Sequence, residues 1–142
     1  VLSALQDASI LVHGISISPG KPTILAKVKD KSFWGMPGHV VSAMIVFSQV
    51  VRPFIAHLGG QSDMEGDVLR LPAKLSRNVA SKQGRVDFLR VRLRREGNQL
   101  WADPVLGKSG LISTMVNANG LVQIDINTEG LDKGAEVEVI PM

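Results

Sequence analysis

Three short segments hold the residue types that bind small anions. The first is Pro19-Gly20-Lys21-Pro22. Its prolines stiffen a loop, Gly20 lets the backbone approach a ligand closely, and Lys21 is a single presented cation. The second is Gly35-Met36-Pro37-Gly38, directly ahead of an apolar helical run. It leaves open a helix N-terminus, whose free N–H groups and dipole favour negative charge. Ser42 falls in the first turn and adds a hydroxyl. The third is Gly107-Lys108-Ser109, which resembles the end of a P-loop. A P-loop needs a glycine where Ala102 stands and a helix afterwards, so nucleotide binding of that kind is set aside. A glycine-flanked Lys-Ser pair between strands still suits an oxyanion, held by backbone N–H groups, the ammonium and the hydroxyl. A phosphate or other oxyanion is the ligand these segments point to, and the same residues also suit plain tight turns. His13, His39 and His57 lack metal-ligand spacing and acidic neighbours, so no metal site is expected among them.

Charge supports an anionic partner. The net charge is only +3, but the signs are segregated. Between Arg70 and Arg95 the basic residues include Lys74, Arg77, Lys82, Arg85, Arg90, Arg92 and Arg94, and Asp87 is the only acid. Between Asp125 and Glu138 the acids Glu129, Asp132 and Glu136 are opposed by Lys133 alone. A basic stretch of this kind favours anions, although two solvated strand faces of opposite sign would look the same. Nucleic acid is disfavoured, because Phe88 is the one aromatic in the basic stretch and the chain has no Tyr. With no Cys there is no disulfide, thiolate metal site or Cys nucleophile, which is compatible with the cytoplasm. The run from Val40 to Leu58 is broken by Ser42, Ser48, Gln49, Arg52 and Pro53. It falls short of the uninterrupted apolar run of roughly 20 residues that a membrane span needs. The chain opens Val1-Leu2-Ser3 and not with Met, as a piece of a longer protein would.

The elements that must position these residues change character near Gly59-Gly60-Gln61-Ser62-Asp63, a polar glycine-containing run that suits a boundary. Before it, the pattern predicts a strand from Ile10 through Ile17, a second over 23–28 and a short third at Phe33-Trp34. A helix from His39 to Leu58 follows, apolar on most sides and kinked or divided at Pro53. After it, nearly everything alternates with period two. A strand starts at Val68 and is interrupted by Pro72. From Val86 to Arg95, Leu89, Val91 and Leu93 face one way, and Arg90, Arg92 and Arg94 the other. Glu96-Gly97-Asn98 suits a hairpin turn into Leu100-Trp101-Ala102. Leu111-Ile112 leads to Met115-Val116, then Asn117–Gly120 turns into Val122, Ile124 and Ile126. The last turn, Leu131–Gly134, enters Val137-Glu138-Val139. Short strands with Gly, Asn and Asp turns predict a small all-β barrel or sandwich.

The motifs taken in order resemble a known family. Val12 through Thr23 is similar to the stretch around the Pro-Gly-Lys-Pro motif of the MoeA family of molybdopterin molybdotransferases. Gly35 through Ala43 resembles its Leu-Pro-Gly-Asn-Pro-Val-Ser segment. Arg52-Pro53 and Gly59-Gly60 fall where the family places them. Gly84 through Arg90, Gly107-Lys108-Ser109-Gly110, Ala118-Asn119-Gly120-Leu121 and Leu131 through Val139 resemble its C-terminal β domain. The eukaryotic relative is the E domain of gephyrin-like proteins.

The resemblance implies the fold class, α/β followed by all-β. Residues 1–61 would be the C-terminal portion of a three-layer α/β molybdopterin-binding domain, and 62–142 a β-barrel domain. It implies insertion of molybdate into adenylylated molybdopterin with Mg²⁺, releasing AMP and molybdenum cofactor, in a cytoplasmic homodimer. No nucleic acid or membrane partner is implied. It places Lys21, Ser42, Arg90 and Ser109 at the molybdate and phosphate site. Two positions depart from the family. Ser18 stands where many relatives carry Lys or Arg, and His39-Val40 replaces Asn-Pro. Two other readings stay open, a non-catalytic molybdopterin- or oxyanion-binding module of the same fold and a remnant with no ligand. With so few strands to cover the helix, the 142-residue chain alone is expected to self-associate and to be inactive.

Overall fold

The computed structural model describes residues 7–61, 68–107 and 111–142. The chain begins with a three-stranded antiparallel sheet in the order β1 (Ala8–His13), β3 (Ile24–Val28), β4 (Lys31–Gly35). Val28 pairs with Lys31 across a tight turn. Between β1 and β3, Gly14 breaks the strand expected to run through Ile17, and the chain resumes as β2 (Ile17–Ser18).

This part is not a portion of a three-layer α/β unit. Such a unit has a mostly parallel sheet with helices on both faces. Here the sheet is antiparallel, and β1 is exposed along nearly its whole length. Trp34 of this sheet meets Phe54 of the helix edge to face, with 5.4 Å between ring centroids.

The predicted helix runs unbroken from Val40 to Leu58. It comprises α1 (Val40–Val46), a π turn (Phe47–Val51) and α2 (Arg52–Leu58). The sequence pattern implied a kink or a division at Pro53. A second segment, α2, does begin there with Pro53 in its first turn, and the Arg52 N–H bonds back to the Phe47 carbonyl, five residues earlier. Proline has no N–H to give the ladder, and the π turn lets the helix pass it. The polar residues therefore do not interrupt the helix, which by length and composition is long and apolar enough to cross a membrane. Core helices of globular proteins meet the same measure. Val41, Ile45, Val46 and Val51 are buried here.

The second half closes into a five-stranded barrel. The strands are β5 (Leu71–Leu75), β7 (Val86–Glu96), β8 (Gln99–Pro104), β9 (Gly120–Ile124) and β11 (Glu136–Pro141). They pair as β7–β8–β5–β11–β9, and β9 returns to β7. A small outlying ribbon joins β6 (Val79–Ala80) to β10 (Gly130–Leu131). The period-two pattern is carried out in the packing. Val91, Ala73, Leu75, Ala102, Val122, Ile124, Val137 and Val139 form the interior, with Leu89 and Leu93 against it. Pro72 lies inside β5, opposite Glu138. The other neighbour, β8, pairs only with Lys74 and Leu75, so no ladder bond is lost at the proline. Leu111 through Val116 is not a strand. Ser113–Val116 forms a helical turn, α3, in which only Thr114 is buried. The apolar side chains of Leu111, Ile112 and Val116 point to solvent, so no pairing is driven there.

Among the described residues, a strand pairing and a helix face join the halves. Ile17 and Ser18 of β2 pair in parallel with Val86 and Asp87 of β7. Val41 and Ile45 of α1 pack on Phe88 and Leu121 of the outer barrel wall. Burying each aliphatic side chain there contributes about 1.5–3 kcal/mol. Away from these contacts, Ile10, Leu11, Val40, Met44 and Phe47 remain about half exposed. Apolar surface of this kind drives association. Light scattering on the purified 142-residue chain should show an apparent mass that rises with concentration; a constant monomer mass would show that these side chains do not associate.

Candidate functional site

The Pro-Gly-Lys-Pro loop is held by its own backbone. The Gly14 N–H donates to the Thr23 carbonyl at 2.8 Å and the Ile15 N–H to the Lys21 carbonyl at 3.0 Å. The buried Thr23 hydroxyl donates to the Gly20 carbonyl at 2.7 Å. Gly20 has φ +137°, and a Cβ there would lie 2.6 Å from Val46 Cγ2 and 2.8 Å from Ile17 Cδ1. The loop thus packs its glycine against α1 and turns Lys21 outward, where it is exposed.

Lys21 lines a cleft of about 720 Å³. One wall is the loop itself and the second is the start of α1, with Pro37, Gly38, His39 and the buried Ser42. The third is the barrel segment Lys82-Gln83-Gly84-Arg85. His39 occupies the N-cap position in extended conformation, and its side chain makes no capping hydrogen bond. A smaller cleft of about 290 Å³ adjoins it, sharing Ser18 and Pro19 and lined by Arg90, Asp87 and Gly107.

Arg90 is the most unusual cation in the molecule. It is 9% exposed, whereas Arg92 and Arg94 on the same strand face are exposed. Arg94 spends its charge on Glu96 and Asp103, at 2.9 and 3.1 Å. Among the described residues Arg90 makes only neutral contacts. It donates to the Thr114 hydroxyl at 2.6 Å and to the Gly107 carbonyl at 2.9 Å. Its Nε is buried with no hydrogen-bond partner. Burial pushes the guanidinium pKa down. Among the described residues it forms no ion pair. The sequence pattern alone placed the three arginines on one face without ranking them; burial ranks them.

Thr114 anchors this arrangement. Its hydroxyl accepts from Arg90 and donates to the Leu111 carbonyl at 2.7 Å. Its methyl group fills the space a side chain at Gly107 would need. Thr114→Val keeps the shape but leaves a buried charged donor without its acceptor, which costs about 1–3 kcal/mol. Thr114→Ser should cost clearly less in urea denaturation. A larger loss for Thr114→Ser than for Thr114→Val would assign the contribution to methyl packing.

Of the residues proposed from sequence, Lys21 and Ser42 share the larger cleft and Arg90 lines the smaller one. Ser109 and Lys108 lie outside the described residues. Sequence reasoning gave no site role to Lys82, Arg85, Thr114 or Asp87. Asp87 had a visible signal as the lone acid of the basic stretch. Lys82 and Arg85 also flank a glycine just before a strand, as Lys21 follows one. Nothing near Thr114 marked it.

Asp87 lines the smaller cleft. Its Oδ2 accepts from the Ser81 hydroxyl at 2.5 Å, and its Oδ1 lies 2.9 Å from Arg85 Nε. Burial opposes its ionisation most strongly, but hydrogen bonds from Ser81 and Arg85, with the Arg85 charge, hold its pKa below the ordinary carboxylate value. The stability from this ionised group is therefore present above the ordinary carboxylate range and lost as pH falls through the depressed value.

The family model for the MoeA C-terminal region (domain IV) matches residues 72–142. A putative molybdopterin biosynthesis protein of Methanocaldococcus jannaschii is 34% identical over 92% of this chain and 29% of its own length. A molybdopterin molybdenumtransferase of Haemophilus influenzae is 32% identical over 89% of this chain and 32% of its own. The crystal structure of a molybdopterin biosynthesis MoeA protein from Pyrococcus horikosii superposes with a TM-score of 0.77 at 36% identity. It is covered over 32% of its length by 96% of this chain. The chain thus spans about a third of the length of these relatives. With the closed barrel, the family model over that barrel and the superposition across both halves, the chain belongs to the MoeA family.

Proposed function

We propose that this chain is part of a molybdopterin molybdotransferase, and that its two adjoining clefts hold the anions of the reaction. The observation that carries the reading is Arg90. A buried cation with only neutral partners is costly, and an anionic ligand is the partner that repays it. Relatives named molybdopterin molybdenumtransferases support the choice of substrate.

In this reading the smaller cleft takes molybdate. The larger takes the phosphate end of adenylylated molybdopterin, beside Lys21, Ser42 and the α1 N-terminus. Holding two anions side by side costs repulsion that grows as water is excluded. Lys21 and Arg90 offset it from opposite sides of the Ser18-Pro19 wall, Ser42 donates a hydroxyl hydrogen bond, and the helix dipole adds partial positive charge. These groups bring the oxyanion to the substrate and hold it in one orientation, which is the main contribution the clefts can make. Mg²⁺, implied by the family resemblance, finds no ligand set here. No group of three or more His, Asp or Glu that could hold a metal occurs among the described residues, and no step is assigned to it. The cytoplasmic homodimer, and the division at 61/62, belong to the same proposal.

The test is AMP release and molybdenum-cofactor formation by the purified full-length enzyme, given adenylylated molybdopterin with and without molybdate. Molybdate-dependent AMP release is the expected result. Binding of molybdate without AMP release would return the chain to the reading of a non-catalytic module.

A further inference from the structure

The larger cleft carries cations on two of its walls. Among the described residues Lys21, Lys82 and Arg85 line it, and no Asp or Glu does. Arg85 is already matched. Its guanidinium lies against Asp87, with Nε 2.9 Å from Oδ1 and Nη2 3.3 Å from Oδ2. Lys21 and Lys82 are exposed and enter no ion pair among the described residues. They come from different walls, Lys21 from the Pro-Gly-Lys-Pro loop and Lys82 from the barrel. The barrel wall is held by its backbone. The Ser81 N–H donates to the Glu129 carbonyl at 2.7 Å and the Gly84 N–H to the Ile126 carbonyl at 2.8 Å. The Val86 N–H donates to the Ser16 carbonyl at 2.9 Å, which ties this turn to the opposite wall. At about 720 Å³ the cleft is of small-molecule size, larger than one tetrahedral oxyanion fills.

We propose that Lys82 is a specificity-determining residue that, with Lys21 from the facing wall, selects two linked phosphates over a single one. The inference rests on reading this cleft as the seat of the substrate's phosphate end, and it adds which part Lys82 holds. Adenylylation of a phosphate monoester makes a diphosphate diester, with one negative charge on each phosphate. Two uncommitted ammonium groups match that charge, one to each phosphate. An ammonium on a flexible stem acts as a compact point charge and needs no planar, bidentate partner. A ligand that spans the two walls engages both lysines. A single phosphate beside Lys21 leaves Lys82 without a partner.

Inorganic pyrophosphate and inorganic phosphate, titrated calorimetrically into the full-length protein in metal-free buffer, test the assignment. Wild type should bind pyrophosphate more tightly than phosphate. Lys82→Ala should lower pyrophosphate affinity about tenfold, in the range of one charge-assisted contact, and leave phosphate affinity within about twofold. Lys82 is exposed, so the variant should fold as wild type does. Lys21→Ala should weaken both probes, because Lys21 holds the phosphate they have in common. Arg92→Ala removes the same charge from an exposed position outside both clefts and should change neither affinity. It separates a contact from the general attraction of a positive surface. Equal losses for both probes in Lys82→Ala, no loss, or the same loss in Arg92→Ala would overturn the proposal. So would a wild type with no preference for pyrophosphate. Molybdate-dependent AMP release judges the enzymatic reading separately. Release without a pyrophosphate preference would reject the role of Lys82 and keep that reading. A Lys82-dependent preference without release would keep the role and reject the reading.

Discussion

Arg90→Ala in the full-length enzyme should weaken molybdate binding by about 1.5–3 kcal/mol, roughly ten- to a hundredfold. The protein should remain folded. The Thr114 hydroxyl keeps its bond to the Leu111 carbonyl, so removing the guanidinium strands only the Gly107 carbonyl. Its stability should not fall, since a buried cation with neutral partners is lost. Lys21→Ala should lie at the lower end of the range, because its exposed ammonium is screened by water. Arg92→Ala is the control. It is exposed on the same strand, and its removal should change affinity by less than about 0.5 kcal/mol. Calorimetric titration of molybdate ranks the three. An Arg92 effect larger than that of Arg90 would contradict the assignment, as would wild-type affinity and activity in both Arg90→Ala and Lys21→Ala.

The second large effect should come from Gly20→Ala. The backbone at φ +137° is strained for any side chain, and the added methyl would meet Val46 and Ile17 at 2.6 and 2.8 Å. Both neighbours belong to packed elements, α1 and β2, so neither yields without moving the loop. Strain and overpacking together should cost about 2–4 kcal/mol. A denaturant midpoint within error of wild type would mean that the loop is looser than described. Anion affinity should fall with stability here, because the same shift displaces Lys21. Gly60→Ala is the contrast. Its φ is also positive but nothing lies within 4 Å of the added Cβ, so only the backbone strain should appear.

What was legible in the sequence follows from where short-range patterning determines structure. The alternation from Val86 to Arg95 set the inward face of β7, and Leu89, Val91 and Leu93 do pack on the barrel interior. The Gly97-Asn98 turn was legible because two-residue hairpins demand those residue types, and Glu96 pairs with Gln99 across it. Lys21 and Ser42 were legible because a stiff glycine loop and a helix start are local signals, and they do line one cleft. The three-layer α/β layout that the resemblance implied for the first half is not its fold. Its strands pair antiparallel, through turns visible in the sequence at Lys29-Asp30. Leu111–Val116 was misread because its apolar residues are exposed, so they carry no information about pairing. Asp87 was legible only as the lone acid of the basic stretch, and Thr114 not at all. Thr114 matters through its contact with Arg90 across the fold, a separation that leaves no mark in local spacing.

The π turn between α1 and α2 sets how residue count in this helix maps onto its faces. A π turn takes up one extra residue in a single wide turn, so the helix on either side keeps its phase. Deleting one residue within Phe47–Val51 would let the turn relax to α-helical spacing. Val41 and Ile45 would keep their seat on the barrel, and Phe54 would still face Trp34. In an alignment of homologues, a one-residue gap at this turn should therefore leave Trp34, the aromatic and the barrel contacts of α1 in their columns.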